Sequence, residues 1–183
     1  MAEKKQNGLL SKIKIPDGVT ATINESLLTI KGQKGEVTRN FFSPLIKLNV
    51  KDNIIELSSK SQKRKFSKVF YTMMAHIENM ICGVKDGFVY ELKVCSGHFP
   101  MTLKKEKDEI IISNFLGEKI PRKSKILPGV EVEVKGDKIT VKSPDLEKAG
   151  QTAVNIERAT AIKKRDIRVF QDGCYITSKP GRK

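Results

Sequence analysis

One order of elements is written twice in this chain, and that repetition restricts the fold more than any other feature. An apolar run with a glycine-containing loop, LLTIKGQKGEV (27–37), comes first. Two short strand-like runs follow, LIKLNV (45–50) and NIIELSS (53–59), joined as a hairpin at Lys51-Asp52-Asn53. A helical pattern comes next, then an Asp-Gly turn that opens a last strand, KDGFVYELKV (85–94). The second half repeats the order with EIIISNFLGEK (109–119), then VEVEV (130–134) and ITVKS (139–143) about Lys135-Gly136-Asp137-Lys138. A second helical pattern and QDGCYITSK (171–179) complete it. Gly35-Glu36 falls over Gly117-Glu118, and the offset is about 80 to 86 residues.

Hydrophobic spacing assigns the two helices. Phe66, Val69, Phe70, Met73, Met74, Ile77, Met80 and Ile81 lie three and four apart, forming one apolar stripe that Gly83 is placed to end. The methionines in it read as the helix's buried face rather than as an adaptable binding surface. Leu146, Ala149, Ala153 and Ile156 mark the second helix, with Ser143 as N-cap, Pro144 at the first helical position and Gly150 inside. These elements predict an α+β protein of two tandem similar units, each an antiparallel sheet with one helix packed on a face. The expected units are residues 1–93 and 94–183.

Charge decides what such a body meets. The 183 residues are 38% apolar, enough for real cores, but 35 Lys and Arg face 21 Asp and Glu, a formal charge of +14. A compact protein with that charge repels itself, which a polyanionic partner relieves. No apolar run approaches the roughly 18 residues needed to span a membrane. The opening MAEKKQNGLLSKIKIP has no apolar signal-peptide core. Nucleic acid rather than a membrane is therefore the expected partner, in the compartment where the chain is made. Cys82, Cys95 and Cys174 are odd in number and lack a CxxC pair. They read as reduced thiols, with Cys82 and Cys174 at positions suited to apolar residues.

The cations cluster in three places. Lys60, Lys63, Arg64, Lys65 and Lys68 surround the start of the first helix, and Arg122, Lys123 and Lys125 lie in a Pro/Gly-bounded segment. The third cluster is the C-terminal stretch, where residues 158–183 hold eight basic residues and two acids. Lys and Arg on loops suit phosphate contacts, with binding that weakens as salt rises. Sparse aromatics and the absence of Trp argue against a single-strand stacking platform. No zinc-finger, RNP-type or GXXG motif is present, so a structured RNA held by its backbone is the expected ligand.

Chemistry finds little support. His76 lies between apolar positions as a polar edge of the first helix. Cys95 and His98 in KVCSGHF have the types for a nucleophile–base pair or half a metal site. No second ligand pair has the spacing, no acid lies nearby in sequence to orient the imidazole, and the segment reads as a linker between units. IKGQKGEV lacks the Walker spacing and a following helix, although Lys31 and Lys34 remain suited to a backbone phosphate. No catalytic activity, cofactor, metal or small-molecule substrate is expected.

NFLGEK (114–119), LPGV (127–130) and the C-terminal signature together resemble one family. It is that of the universal sixth protein of the large ribosomal subunit, in its archaeal/eukaryotic form. Ile162, Arg165, Arg168, Phe170, Asp172, Gly173, Tyr175, Ile176 and Lys179 match the signature, while Arg158 stands at a Gln position and Cys174 at an aliphatic one. The resemblance implies a structural protein without catalytic activity. It would bind large-subunit ribosomal RNA near the base of the lateral stalk and the sarcin–ricin loop, in the cytosolic ribosome. Neighbouring large-subunit proteins, including those of the stalk base, would be its other partners. It also implies that the C-terminal unit makes much of the RNA contact. Arg165, Arg168 and Lys179 carry over by position, and Lys163, Lys164, Arg182 and Lys183 join them on local charge.

Overall fold

Alternation along the strands sets which face of each sheet is buried. The computed structural model describes residues 8–44, 46–51 and 53–181. Leu45 and Asp52 of the expected first hairpin, together with Arg182 and Lys183, lie outside the described residues, as do residues 1–7. One compact unit ends at Gly87 and the next begins at Phe88.

In the first unit, β1 (Leu10–Lys14), β2 (Thr20–Asn24), β3 (Leu27–Gly32), β4 (Gly35–Asn40), β5 (Ile46–Lys51) and β6 (Ile54–Ser59) precede α1 (Arg64–Lys85). They form two antiparallel sheets, β1-β6-β5 and β2-β3-β4. Leu28 and Ile30 on β3, and Ile55 and Leu57 on β6, are fully buried. A one-residue slip in either ladder would exchange them for Thr29, Lys31, Glu56 and Ser58, so the register is strongly specified. Phe70, Met73, Ile77, Met80, Ile81 and Val84 form the buried side of α1 and close the core against both sheets. Met73 and Met80 are core, while Met74 is half-buried beside the Ser11 hydroxyl.

The first helix runs past the expected stop at Gly83, which is buried within it. Asp86 is the C-cap, and Gly87, with φ +78°, takes the left-handed position that ends such a helix. The extra turn brings Val84 against β3. A Cβ added to Gly32 would collide with Val84 Cγ1 and lie 3.1 Å from the Val84 carbonyl oxygen. Gly32→Ala is expected to destabilise the first unit by about 2 kcal/mol, because backbone and a branched side chain must both move. The measurement is the denaturation midpoint at constant m, and an unchanged midpoint would mean that the end of α1 shifts freely.

The second unit comprises β7 (Phe88–Cys95), β8 (Thr102–Glu106), β9 (Glu109–Ser113), a 3-10 turn (Phe115–Gly117), β10 (Arg122–Lys125), β11 (Glu131–Lys135), β12 (Lys138–Ser143), α2 (Leu146–Ala159) and β13 (Gly173–Ser178). Its sheets are β10-β9-β8 and β11-β12-β7-β13. The expected closing strand of the first unit, residues 85–94, is thus placed differently. Its strand portion, β7, is a central strand of the second unit, and the division falls at 87/88 rather than 93/94. Tyr90 and Leu92 lie opposite Val141 and Ile139 of β12, while Leu92 and Val94 lie opposite Ile176 and Cys174 of β13. One apolar face of β7 therefore finds apolar partners on both sides. The order β7-β12-β11 repeats β1-β6-β5, so β1 is the counterpart of β7. Among the described residues β13 is an addition without a counterpart in the first unit.

The second helix begins later than expected. Its N-cap is Asp145, whose carboxylate accepts the Glu147 N–H at 2.9 Å. Ser143 instead ends β12, with its hydroxyl donating to the Gly129 carbonyl at 3.1 Å and accepting the Asp145 N–H at 3.2 Å. The absence of a side chain at Gly150 makes room for the Tyr90 hydroxyl, which lies 3.0 Å from where a Cβ would be. Ala149, Ala153 and Ile156 are fully buried, and α2 packs on β7, β10, β12 and β13. The molecule is α+β with two similar units, each holding two small antiparallel sheets where one was expected.

Candidate nucleic-acid interface

The first cluster stands at the start of α1. Lys60, Lys63, Arg64, Lys65 and Lys68 are all exposed. Lys63 is the N-cap, no side chain caps the helix, and its first turn holds no acid. Cations at a helix N-terminus oppose the helix dipole, which favours anions there. The arrangement works against the isolated protein and in favour of a bound polyanion.

The second cluster is a strand, β10, rather than a loop, and its alternation separates the three cations. Lys123 and Lys125 are exposed, whereas Ser124 between them is buried. Lys123 Nζ lies 3.4 Å from Glu109, an exposed pair of little energetic weight. Four of the five N–H donors of Arg122 are engaged within the protein. Its Nε and Nη2 donate to the two Glu118 carboxylate oxygens at 2.8 and 2.6 Å. Its Nη1 donates to the carbonyls of Ala159 and Ala161, both at 3.0 Å. The guanidinium also covers the Phe115 ring, 4.2 Å from its centroid. The Arg122 hydrogen bonds hold the Glu118 carboxyl below its ordinary value, burial pushes the other way, and the charges of Arg122 and Arg165 add to the lowering. Arg122 thus closes the C-terminal end of α2, where free carbonyls attract a cation.

The third cluster is the stretch between α2 and β13. Lys163, Lys164, Arg165 and Arg168 are exposed on a segment without regular structure, and Lys164 has φ +59°. Arg168 is 88% exposed, and its Nε lies 3.3 Å from Asp166. Lys179 is exposed just beyond β13. At its start the segment is held by Arg122 and by Thr160, whose Oγ1 accepts the Cys174 N–H at 2.9 Å. At its end stands Asp172, a buried carboxylate. Its Oδ1 accepts the Gly97 and His98 N–H groups at 2.5 and 3.0 Å, and its Oδ2 lies 2.6 Å from His98 Nδ1. Burial works to raise the Asp172 carboxyl, but the bonds from His98 and Gly97 prevail and lower it. The carboxylate accepts only, so His98 Nδ1 carries the proton of that bond.

The acid missing near His98 in sequence is therefore supplied from 74 residues away. Asp172 reads in sequence as a turn residue before glycine, and no local signal tells its second task. The pair does not make a nucleophilic site. No hydrogen bond joins Cys95 to His98, and no group of His, Cys, Asp and Glu could hold a metal, among the described residues. Residues 96–98 are exposed but belong to the second unit, where Gly97 and His98 are hydrogen-bonded to Asp172, rather than serving as a linker. Cys174 is buried in the core at the aliphatic position of the signature, and burial pushes its thiol up to about 12, against the Thr160 hydrogen bond. Cys82, expected at an apolar position, is exposed on α1. Arg158 is exposed in the last turn of α2, where a cation suits the helix dipole. No described helix is long and apolar enough to cross a membrane.

Comparison with known proteins agrees with the duplicated fold. The chain matches the family described as Ribosomal protein L6 over residues 15–87 and 99–173, one segment in each unit. It is 45% identical over 168 residues to the large ribosomal subunit protein uL6 of Methanobrevibacter smithii, covering 92% of this chain and 94% of that one. It is 42% identical over 171 residues to the protein of the same name from Haloarcula marismortui, covering 93% and 96%. On this likeness across nearly its whole length, and on the paired units it was built from, the chain belongs to the ribosomal protein L6 family, which is structural rather than enzymatic.

Proposed function

We propose that this protein is a structural constituent of the large ribosomal subunit, binding ribosomal RNA near the stalk base and the sarcin–ricin region and supporting translation in the cytoplasm. The observation that carries the reading is the segment 163–168. Four exposed cations stand on a stretch tied at both ends to the rigid second unit, in a chain of net charge +14. The relatives' shared designation as large-subunit proteins supports the assembly. Lys123, Lys125 and Lys179 are further phosphate contacts in this unit, and Lys60, Lys63, Arg64 and Lys65 in the first. Arg122 is left out of that set, because four of its five donors are engaged within the protein. Neighbouring large-subunit proteins are the other partners.

Sucrose-gradient fractionation of a lysate from cells expressing the tagged chain tests the assembly. Co-sedimentation with large subunits and polysomes is expected. A pool wholly outside those fractions would make this a free-standing RNA-binding protein of the same fold.

A further inference from the structure

We propose that His98 and Asp172 are positioning residues that set Arg165 for contact with RNA phosphate. The proposal rests on the reading of segment 163–168 as a phosphate-binding element.

The segment between α2 and β13 has no ladder of its own to define it. Ordering such backbone costs conformational entropy, and the cost weakens RNA binding unless the free protein has already met it. Two ties from outside the segment reach its end. Asp172 is captured by the backbone of Gly97 and His98 and by the His98 ring, all from a part of the chain 74 or 75 residues away. The same imidazole stacks on Phe170, with ring centroids 4.7 Å apart and planes at 27°. Phe170 in turn lies under Arg165, whose guanidinium carbon is 4.8 Å from the ring centroid. The order is Asp172, His98, Phe170, Arg165, from a buried carboxylate to an exposed cation.

A guanidinium resting on an aromatic face keeps its N–H donors in its own plane, open to a planar acceptor such as phosphate. Among the described residues no hydrogen bond or ion pair engages the donors of Arg165, in contrast to Arg122 and Arg168. Stacking therefore fixes where the charge sits without occupying it. Lys163 and Lys164 have no such ring contact among the described residues and present their charge as point ammoniums on exposed side chains. The imidazole suits its place because one ring both donates to the carboxylate and presents a flat face to Phe170.

The test uses the full chain and protein-free large-subunit ribosomal RNA, with affinity measured across a salt series. Arg165→Ala is expected to weaken binding about tenfold and to lower the salt slope by about one. Asp172→Asn is expected to produce a similar loss although the substituted group never faces RNA. Combined with Arg165→Ala it adds less than about twofold, because both changes remove the same contact. His98→Phe keeps the stacking ring and leaves Asp172 its two backbone donors. As the milder variant it keeps the test available if Asp172→Asn fails to fold, with an expected loss of about threefold that also vanishes in the Arg165→Ala background. A purely structural role would lower the melting temperature and add fully to Arg165→Ala, which would overturn the positioning proposal alone. An Arg165→Ala change without effect on affinity or slope would overturn the RNA reading of this segment together with the proposal.

Discussion

Replacing Lys163, Lys164, Arg165 and Arg168 together by alanine lowers affinity for large-subunit ribosomal RNA about a hundredfold at physiological salt, and reduces the slope of log affinity against log salt by about three. Each neutralised phosphate releases close to one counterion, so four lost contacts leave a recognisable slope as well as a loss of affinity. All four side chains are exposed, and the one ion pair they make among the described residues, Arg168 with Asp166, lies in water. Exposed pairs contribute about 0–1 kcal/mol, so the fold should barely notice the change. An unchanged melting temperature with a collapsed salt slope is the signature of a binding surface. A slope equal to that of the parent would mean that these cations are only solvated.

Arg122→Ala is expected to do the reverse, costing about 3 kcal/mol of stability in the second unit. It removes two hydrogen bonds from a cation, of which the part-buried one to the Ala159 carbonyl is worth about 1.5–3 kcal/mol, while water reaches the exposed Ala161 carbonyl. It also removes the cover over Phe115, which is buried beneath it. In a unit of this size the melting temperature should fall by more than about 10 °C. Arg122→Lys should recover little, since one ammonium cannot reach the Glu118 carboxylate and two carbonyls at once. A melting temperature within about 2 °C of the parent would show that the end of α2 is held by other contacts, Thr160 first among them. The two substitution sets separate cations by what surrounds them, although both belong to basic runs that look alike in sequence.

Much of this was legible before any coordinates. The stripe from Phe66 to Ile81 is a helix because positions three and four apart share a face, and all but a few of its members are core. The hairpin at 130–143 follows from a period-two run, and that at 46–59 from short apolar-rich runs, each around turn residues. The family resemblance of the C-terminal signature agrees with the matched relatives. Local pattern and final structure part where local and distant interactions compete. Gly83 looked like a helix stop, but packing of Val84 under β3 carries the helix one turn further. Strand 88–95 looked like the close of the first unit because it follows the first helix. Its hydrogen bonds go to β12 and β13 instead, and no local property of FVYELKVC names those partners.

The sequence by itself determined that there would be two similar α+β units with particular strands and helices, and that the surface would be strongly basic. The elements follow from spacings of two to four residues, their grouping into two similar units from an order repeated about 80 to 86 residues on, and the surface from charge, none of which depends on what the chain later meets. The tertiary structure alone decided which unit owns β7, which basic residues are free, and that Asp172 holds His98. Each of these is a pairing across tens of residues, where any of several polar groups has the right chemistry and only folding selects one. Arg122 and Arg165 show the consequence most plainly. Both are arginines in basic stretches, yet one is surrounded by acceptors and the other rests on a ring, with no hydrogen bond to its donors among the described residues.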